Sequence, residues 1–198
     1  MQQAATIELY EYWNAIRNGR IAPCRFEIEP AKISQLLRDT FIAECSCLPA
    51  VRFRLAGTQV CHYFGRELRG IDFMSLWSLE DRNNISSTLD NIVNDGAVGH
   101  GSFIAVTESN REAVFEFALL PLIHTGSTVN RILGAITAIE PPFWLGAEPL
   151  VTLELRDVGL RWPDGIPDFL IRSNADAAHH ARRSFRVLQG GLSSKNHR

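Results

Sequence analysis

The sequence predicts an α+β domain in which helices pack on one face of an antiparallel β-sheet. Strand-like runs are joined by short turns, as between 102–108 and 112–123, and this spacing is typical of antiparallel hairpins. Within 40–142, the helical patterns lie together between the second and third predicted strands. Helices and strands are therefore segregated rather than alternating, which favours one antiparallel sheet with a helical layer over a parallel sheet.

The first predicted element is an amphipathic helix over 6–18. Leu9 and Trp13 fall on one face of it, and Thr6 is suited to cap its first turn. A second short helix is predicted over 30–37, because proline favours the first position of a helix. Both helices precede the first predicted strand.

Two strands are predicted over 40–45 and 51–55. The second alternates cleanly, with apolar residues on one face and Arg52 and Arg54 on the other, as in a half-buried antiparallel strand. From 60 to 77, glycines interrupt large apolar residues that show no two-residue period. This stretch is interpreted as short helical turns joined by tight loops.

A longer helix is predicted over 80–95, with Ser78 as its cap and Asp81 as the acid of a capping box. Three strands then complete the sheet, at 102–108, 112–123 and 131–139.

The chain is divided into four predicted regions. These are an N-terminal helical segment (1–39), the central domain (40–142), an extension (143–171) and a basic, partly disordered tail (172–198). Within the extension, 150–155 has the pattern of a strand. The pattern does not decide whether this strand extends the sheet of its own chain or swaps between subunits.

Composition limits the class of protein. The chain has 198 residues, 45% of them hydrophobic, and a formal net charge of −2, as expected of a globular domain. There is no apolar run long enough to span a membrane and no leader pattern in the first residues, so a cytoplasmic protein is expected. The 4 cysteines are expected to be reduced thiols.

The element order and one stretch of sequence resemble a known family. The residues concerned are Phe53-Arg54-Leu55-Ala56-Gly57-Thr58, Phe64-Gly65-Arg66-Glu67-Leu68-Arg69-Gly70, Phe73, Leu76-Trp77 and Arg131-Ile132-Leu133-Gly134. They resemble a bacterial family of PAS-like proteins that is common in alphaproteobacteria and poorly characterised in function. The resemblance covers about 5–160 and implies a five-stranded antiparallel sheet in the order 2-1-5-4-3. It also implies a protein that binds small ligands or partner proteins.

The resemblance places a candidate ligand cavity between the sheet and the helices, with His100 at its rim. Six other residues are expected to line this space: Trp77, Phe103, Phe115, Phe117, Leu119 and Ile136. A hollow space of this kind would make the protein a sensor of a small-molecule ligand. A filled core would make it an interaction module, and both interpretations stay open.

The sequence identifies no cofactor. The 80–95 helix contains no histidine, although some PAS proteins bind haem through a histidine there. The run Cys61-His62-Tyr63-Phe64-Gly65 departs from the reactive-cysteine run of flavin photosensors. Cys45 and Cys47 lack the spacing of a zinc knuckle, so no metal site is predicted.

The candidate interaction surface combines the N-terminal helix with the outer face of the sheet. It consists of Tyr10, Trp13, Arg52, Arg54 and Glu116. An aromatic helix of this kind is expected to pack on the sheet or on a second subunit, and a homodimer is predicted.

These observations favour a signal-transduction module that acts through a protein partner and has neither an output domain nor an enzymatic activity of its own. The alternative is a small cavity enzyme of the isomerase or dehydratase type, for which His100 with Glu116 or Glu108 is the best acid–base pair. A third hypothesis gives the basic tail a nucleic-acid partner. We expect neither a membrane nor a nucleic acid as the principal partner.

Overall fold

The structure is a computed structural model that describes residues 1–47 and 50–165, and in these it contains three α-helices and six strands. The elements are α1 (Ala4–Arg17), β1 (Thr40–Cys47), β2 (Ala50–Ala56), α2 (Thr58–Tyr63), α3 (Arg82–Asp95), β3 (Val98–Thr107), β4 (Glu112–Leu122), β5 (Arg131–Ile139) and β6 (Leu150–Arg161). Short 3-10 turns lie at Arg25–Glu27, Pro30–Ile33, Leu37–Asp39 and Phe73–Leu76. The predicted basic tail lies outside the described residues.

The strands form one antiparallel sheet in the order β2-β1-β5-β4-β3-β6. The predicted α+β class and the predicted order 2-1-5-4-3 are confirmed. The predicted number of strands is corrected, because a sixth strand pairs with β3 and extends the sheet.

The sixth strand is longer than the predicted 150–155 segment and stays within its own chain. It pairs with β3 from Thr107↔Leu150 to Val98↔Arg161. Two irregularities interrupt this register, leaving Val151 and Arg156 without a partner residue in β3. Such bulges break the two-residue period on which the prediction of strands depends, so the second half of β6 was not recognisable in the sequence.

Helices lie on both faces of the sheet and produce two hydrophobic layers. The inner layer packs α2, α3 and the turn at Phe73–Leu76 against residues such as Phe53, Phe115 and Leu119. The outer layer packs α1, through the fully buried Leu9 and Trp13, against β4 and β5. The predicted aromatic helix therefore packs on the sheet of its own chain.

The helix ends differ in detail from the prediction. The cap of α1 is Gln3 rather than Thr6, and that of α3 is Asp81 rather than Ser78. Only one short 3-10 turn, Pro30–Ile33, forms at the start of the predicted 30–37 helix. No helix in the described part of the chain has the length and apolar character needed to cross a bilayer.

Candidate functional site

The six apolar side chains predicted to line a cavity lie together on the inner face of the sheet. Each of them is at most 3% exposed: Trp77, Phe103, Phe115, Phe117, Leu119 and Ile136. Trp77 follows the last 3-10 turn, whereas the other five come from β3, β4 and β5. Alternation along these strands sends every second side chain to the same face, which is why sequence parity could find them.

Aromatic rings occupy the space between the sheet and the helices. Phe103 and Phe115 are directly opposed on β3 and β4 and stack with ring centroids 5.2 Å apart and planes at 7°. Trp77 packs edge-on against Phe103 at 5.4 Å and against Phe117 at 6.0 Å. These distances are those of closely packed aromatic pairs. The rings therefore stand in the place where a ring-shaped cofactor such as a flavin or a haem would have to lie, and the residues present do not fit such a group.

An open depression of about 740 Å³ borders this layer between Trp77, the start of α3 and β6. A cleft remains beside Phe41, Phe73 and Leu119, but it is too narrow to admit a water molecule. One polar atom in this layer, Trp77 Nε1, is buried without a hydrogen-bond partner among the described residues. The inner face that the structure describes is a packed core.

The sixth strand ties the helical layer to the edge of the sheet. The Ser78 backbone N–H donates to the Leu153 carbonyl at 2.9 Å, and the Leu155 N–H donates to the Asp81 carboxylate at 2.9 Å. The same carboxylate accepts a hydrogen bond from the Ser78 hydroxyl at 2.6 Å. Asp81 thus joins the start of α3 to β6. Its predicted role as the acid of a capping box is corrected, because the Ser78 N–H donates to Leu153 instead.

The placement of His100 at the cavity rim is corrected by the structure. Along β3, Gly99 and Phe103 face the helices of the inner layer, so His100 faces outward. It lies beside Tyr10 of α1 and Arg161 of β6 in a surface depression. Burial, the nearby Met1 ammonium and Arg161 lower the pKa of the imidazole, although Glu116 and Asp157 oppose them.

Glu116 lies on the outer face of the sheet, as predicted, but it is not an exposed contact residue. Only 6% of it is exposed, because α1 covers it. Its carboxylate accepts hydrogen bonds from the backbone N–H groups of Gln2 at 2.6 Å and Gln3 at 3.0 Å, and from the Thr6 hydroxyl. A negative group at this position satisfies the free N–H groups of a helix start and complements the helix dipole.

The middle of α1 is held by the aromatic residues that were predicted to form an interaction surface. Trp13 is fully buried, and its indole N–H donates to the Pro121 carbonyl at 2.8 Å. Tyr10 is partly buried, and the Arg161 guanidinium lies over its ring at 4.9 Å. Trp13 therefore serves the fold of its own chain, and Tyr10 lies at the border of the covered surface.

A third anchor holds the end of α1. Arg17 is buried, and both of its terminal nitrogens donate to the Asp164 carboxylate, at 2.7 and 2.8 Å. The hydrogen bond from Arg17 holds the pKa of Asp164 below its ordinary value. Glu116, Pro121 and Asp164 thus receive the start, the middle and the end of the same helix.

Arg52 and Arg54 are exposed on the edge strand β2, as their alternation predicted. Arg54 forms an ion pair with Glu44 of β1, and Glu44 also binds Arg131 of β5 at 2.8 Å. Arg52 donates to the Gly70 carbonyl at 3.2 Å. This charged row crosses the part of the outer face that α1 leaves uncovered.

Within the described residues, no group of three histidine, cysteine or carboxylate side chains is placed to hold a metal ion. Cys24, Cys45 and Cys61 are free thiols. Burial raises the pKa of Cys45 to about 12, so this thiol is neutral and a poor nucleophile or metal ligand.

The comparisons with known proteins agree with this architecture. A family model described as a PAS domain matches residues 1–137. The chain belongs to the PAS domain family, a class of sensor and signalling modules. No curated protein matches the chain.

Solved structures match parts of the chain at low identity. A Rhodobacter sphaeroides LOV protein is 11% identical, with a TM-score of 0.44, and the match covers 59% of this chain and 71% of that one. A PAS domain from Colwellia psychrerythraea is 14% identical, with a TM-score of 0.41, covering 56% of this chain and 98% of that one. An RNA-binding light-oxygen-voltage receptor is 13% identical, with a TM-score of 0.44, covering 83% and 41%.

Proposed function

We propose that this chain is a PAS-type interaction module in signal transduction, which passes its signal through contacts with a protein partner. The observation that carries the proposal is the filled inner layer. Trp77, Phe103 and Phe115 pack against one another where a ligand-sensing domain would keep a cavity. A domain without such a cavity recognises its partners through its surface.

The free part of the outer face is the surface that we assign to the partner. It lies over β1 and β2, beside the region covered by α1, and presents Arg52, Arg54 and Leu55. Leu55 is 51% exposed although Ile42, its pairing partner on β1, is buried. Arginine is enriched at protein interfaces, and covering an exposed apolar side chain beside it is favourable.

We propose that the chain forms a homodimer through the same surface. Trp13, which the sequence offered as a contact for a second subunit, is buried within its own chain and is not free for that contact. We assign the protein to the cytoplasm, where Cys24, Cys45 and Cys61 would stay reduced. Light-scattering chromatography of the purified chain tests the dimer. A monomer at all concentrations would refute that part of the proposal.

We also infer that the chain is not an enzyme of the cavity type. The acid–base pair suggested by the sequence, His100 and Glu116, lies on the side of the sheet covered by α1. The Glu116 carboxylate is occupied by Gln2, Gln3 and Thr6 and is not free to exchange a proton with a substrate.

The first test is native mass spectrometry with an absorbance spectrum of the gently purified protein. We expect the mass of two polypeptides without a chromophore, and no band in the visible range. A bound chromophore on the inner face would refute the packed-core argument.

The second test compares partner capture by Leu55→Asp with capture by Leu79→Asp, a matched control that is 78% exposed and precedes α3. Only the first variant should lose the partner.

A further inference from the structure

A groove on the outer side of the molecule is separate from the packed inner layer. It has a volume of about 300 Å³ and runs between the segment that follows α1 and the strands β1, β2 and β5. This is within the size range of small-molecule sites, at its lower end. Its lining comes from stretches far apart in the sequence, so the folded chain alone assembles it.

The floor of the groove is apolar. Ile28, Ile33, Ile42 and Leu133 are all at most 8% exposed. At the mouth, Leu37 and Leu55 are 38% and 51% exposed. Covering such apolar surface is favourable in proportion to its area, so an aliphatic group entering the groove would be stabilised without any change of the fold.

A single charged residue, Arg25, lines this apolar groove. Nearby basic side chains are already engaged: Arg20 with Glu27, Lys32 with Glu29, Arg38 with Asp39 and Arg54 with Glu44. Arg25 alone of this group has no ion-pair partner in the part of the chain that the structure describes. A guanidinium next to apolar surface binds a carboxylate strongly, because few other groups compete for it.

The walls of the groove are fixed in place. The Arg25 N–H donates to the Ile123 carbonyl at 2.6 Å, which ties the backbone of Arg25 to the end of β4. At the other side, Gly57 approaches so closely that a Cβ on it would lie 2.2 Å from the Leu37 carbonyl oxygen. A ligand would therefore bind without ordering the site first, which favours affinity.

We propose that this groove is a binding site for an aliphatic monocarboxylate, with the hydrocarbon chain on Ile28, Ile33 and Leu133 and the carboxylate on Arg25. The lining offers one cation, and its other side chains are apolar except for Thr40, whose hydroxyl already donates to the Leu37 carbonyl at 3.1 Å. Sugars, nucleotides and other highly polar ligands would leave their hydrogen-bonding groups unpaired there. The groove shares Leu55 with the proposed partner surface, but its test uses the isolated protein, so its outcome is separate from that of partner capture.

The test is titration of the full chain with decanoate below its micelle concentration, followed by NMR of isoleucine and leucine methyl groups. We expect saturable shifts at Ile28, Ile33 and Leu133, with the inner-layer methyl group of Ile136 unmoved. Decanol, which has the same chain without the charge, should bind about tenfold more weakly, as expected for the loss of one charged contact.

Two variants complete the test. Arg25→Gln should weaken decanoate binding about tenfold and leave decanol binding unchanged, whereas the matched control Arg20→Gln should change neither. Ala56→Phe, which fills the groove from β2, should abolish the shifts. Absence of shifts in the wild type, equal binding of decanoate and decanol, or shifts at Ile136 instead of the groove would each overturn the proposal.

Discussion

Replacing Glu116 with alanine should loosen α1 from the sheet. The carboxylate is 94% buried and receives the N–H groups of Gln2 and Gln3 together with the Thr6 hydroxyl. The Thr6 hydroxyl keeps a second acceptor, the Gln3 carbonyl at 2.9 Å. The main cost therefore comes from the Gln2 and Gln3 N–H groups, which lose their hydrogen bonds to the carboxylate. An unsatisfied buried donor costs about 1–3 kcal/mol. Because Gln2 itself is exposed and can reach water, we expect a total loss of about 2–3 kcal/mol.

The assay combines thermal unfolding with hydrogen exchange. For a domain of this size, about 1 kcal/mol corresponds to roughly 2–4 °C, so Glu116→Ala should lower Tm by about 4–12 °C. Exchange of the α1 amides should accelerate more than that of β4, because the helix can detach before the sheet unfolds. Glu116→Gln keeps the shape and one acceptor oxygen, and it should lose about half as much.

The control is Glu112→Ala, an exposed position on the same strand, which should change stability by less than about 0.5 kcal/mol. An unchanged Tm and unchanged α1 exchange in Glu116→Ala would show that the carboxylate is not an anchor. In that case the helix would be held by apolar packing alone.

Three further predictions concern titratable groups. Cys45 should react with iodoacetamide at pH 8 far more slowly than the partly exposed Cys24, as peptide mass spectrometry would show. Since Arg17 lowers the pKa of folded Asp164, its contribution to stability should be present above the ordinary aspartate pKa of about 3.9 and be lost as pH falls through the lower folded value. Asp164→Asn should remove that dependence in urea unfolding. His100 should titrate by NMR below about 6.5, and stability should fall as pH decreases through that range, because the unfolded chain binds the proton more tightly.

The residues of the inner layer could be predicted because the alternation of apolar and polar residues within each strand determines which face each side chain occupies. Residues such as Phe103, Phe115 and Phe117 belong to strands with an uninterrupted two-residue period, so parity alone placed them on one face. The short turns between these strands indicated that they pair in antiparallel orientation. Whether the rings fill the space or leave it hollow depends on side-chain packing across several elements, which no local pattern encodes.

The helix of the outer layer could be predicted, but its polar contacts with the sheet could not, for the opposite reason. Parity placed Glu116 on the correct face, but its burial depends on a helix more than 100 positions away in the sequence. The same holds for Arg17 and Asp164, which are 147 positions apart. His100 was assigned to the wrong face because the sequence start of β3 was set at Ser102 rather than Val98. That earlier start makes His100 a residue of the strand rather than of the loop before it.

The bulges of β6 have a consequence for the solubility of the molecule. A long edge strand with free N–H and C=O groups can recruit further strands and start aggregation. In β6 the extra residues Val151 and Arg156 interrupt the regular spacing of those groups, and charged Glu154 and Asp157 lie beside the second interruption. An approaching strand would find neither a straight edge nor a neutral one. The Leu153 carbonyl and the Leu155 N–H on this edge are already bonded to Ser78 and Asp81, so the bulges and these contacts together leave few regularly spaced groups for a seventh strand.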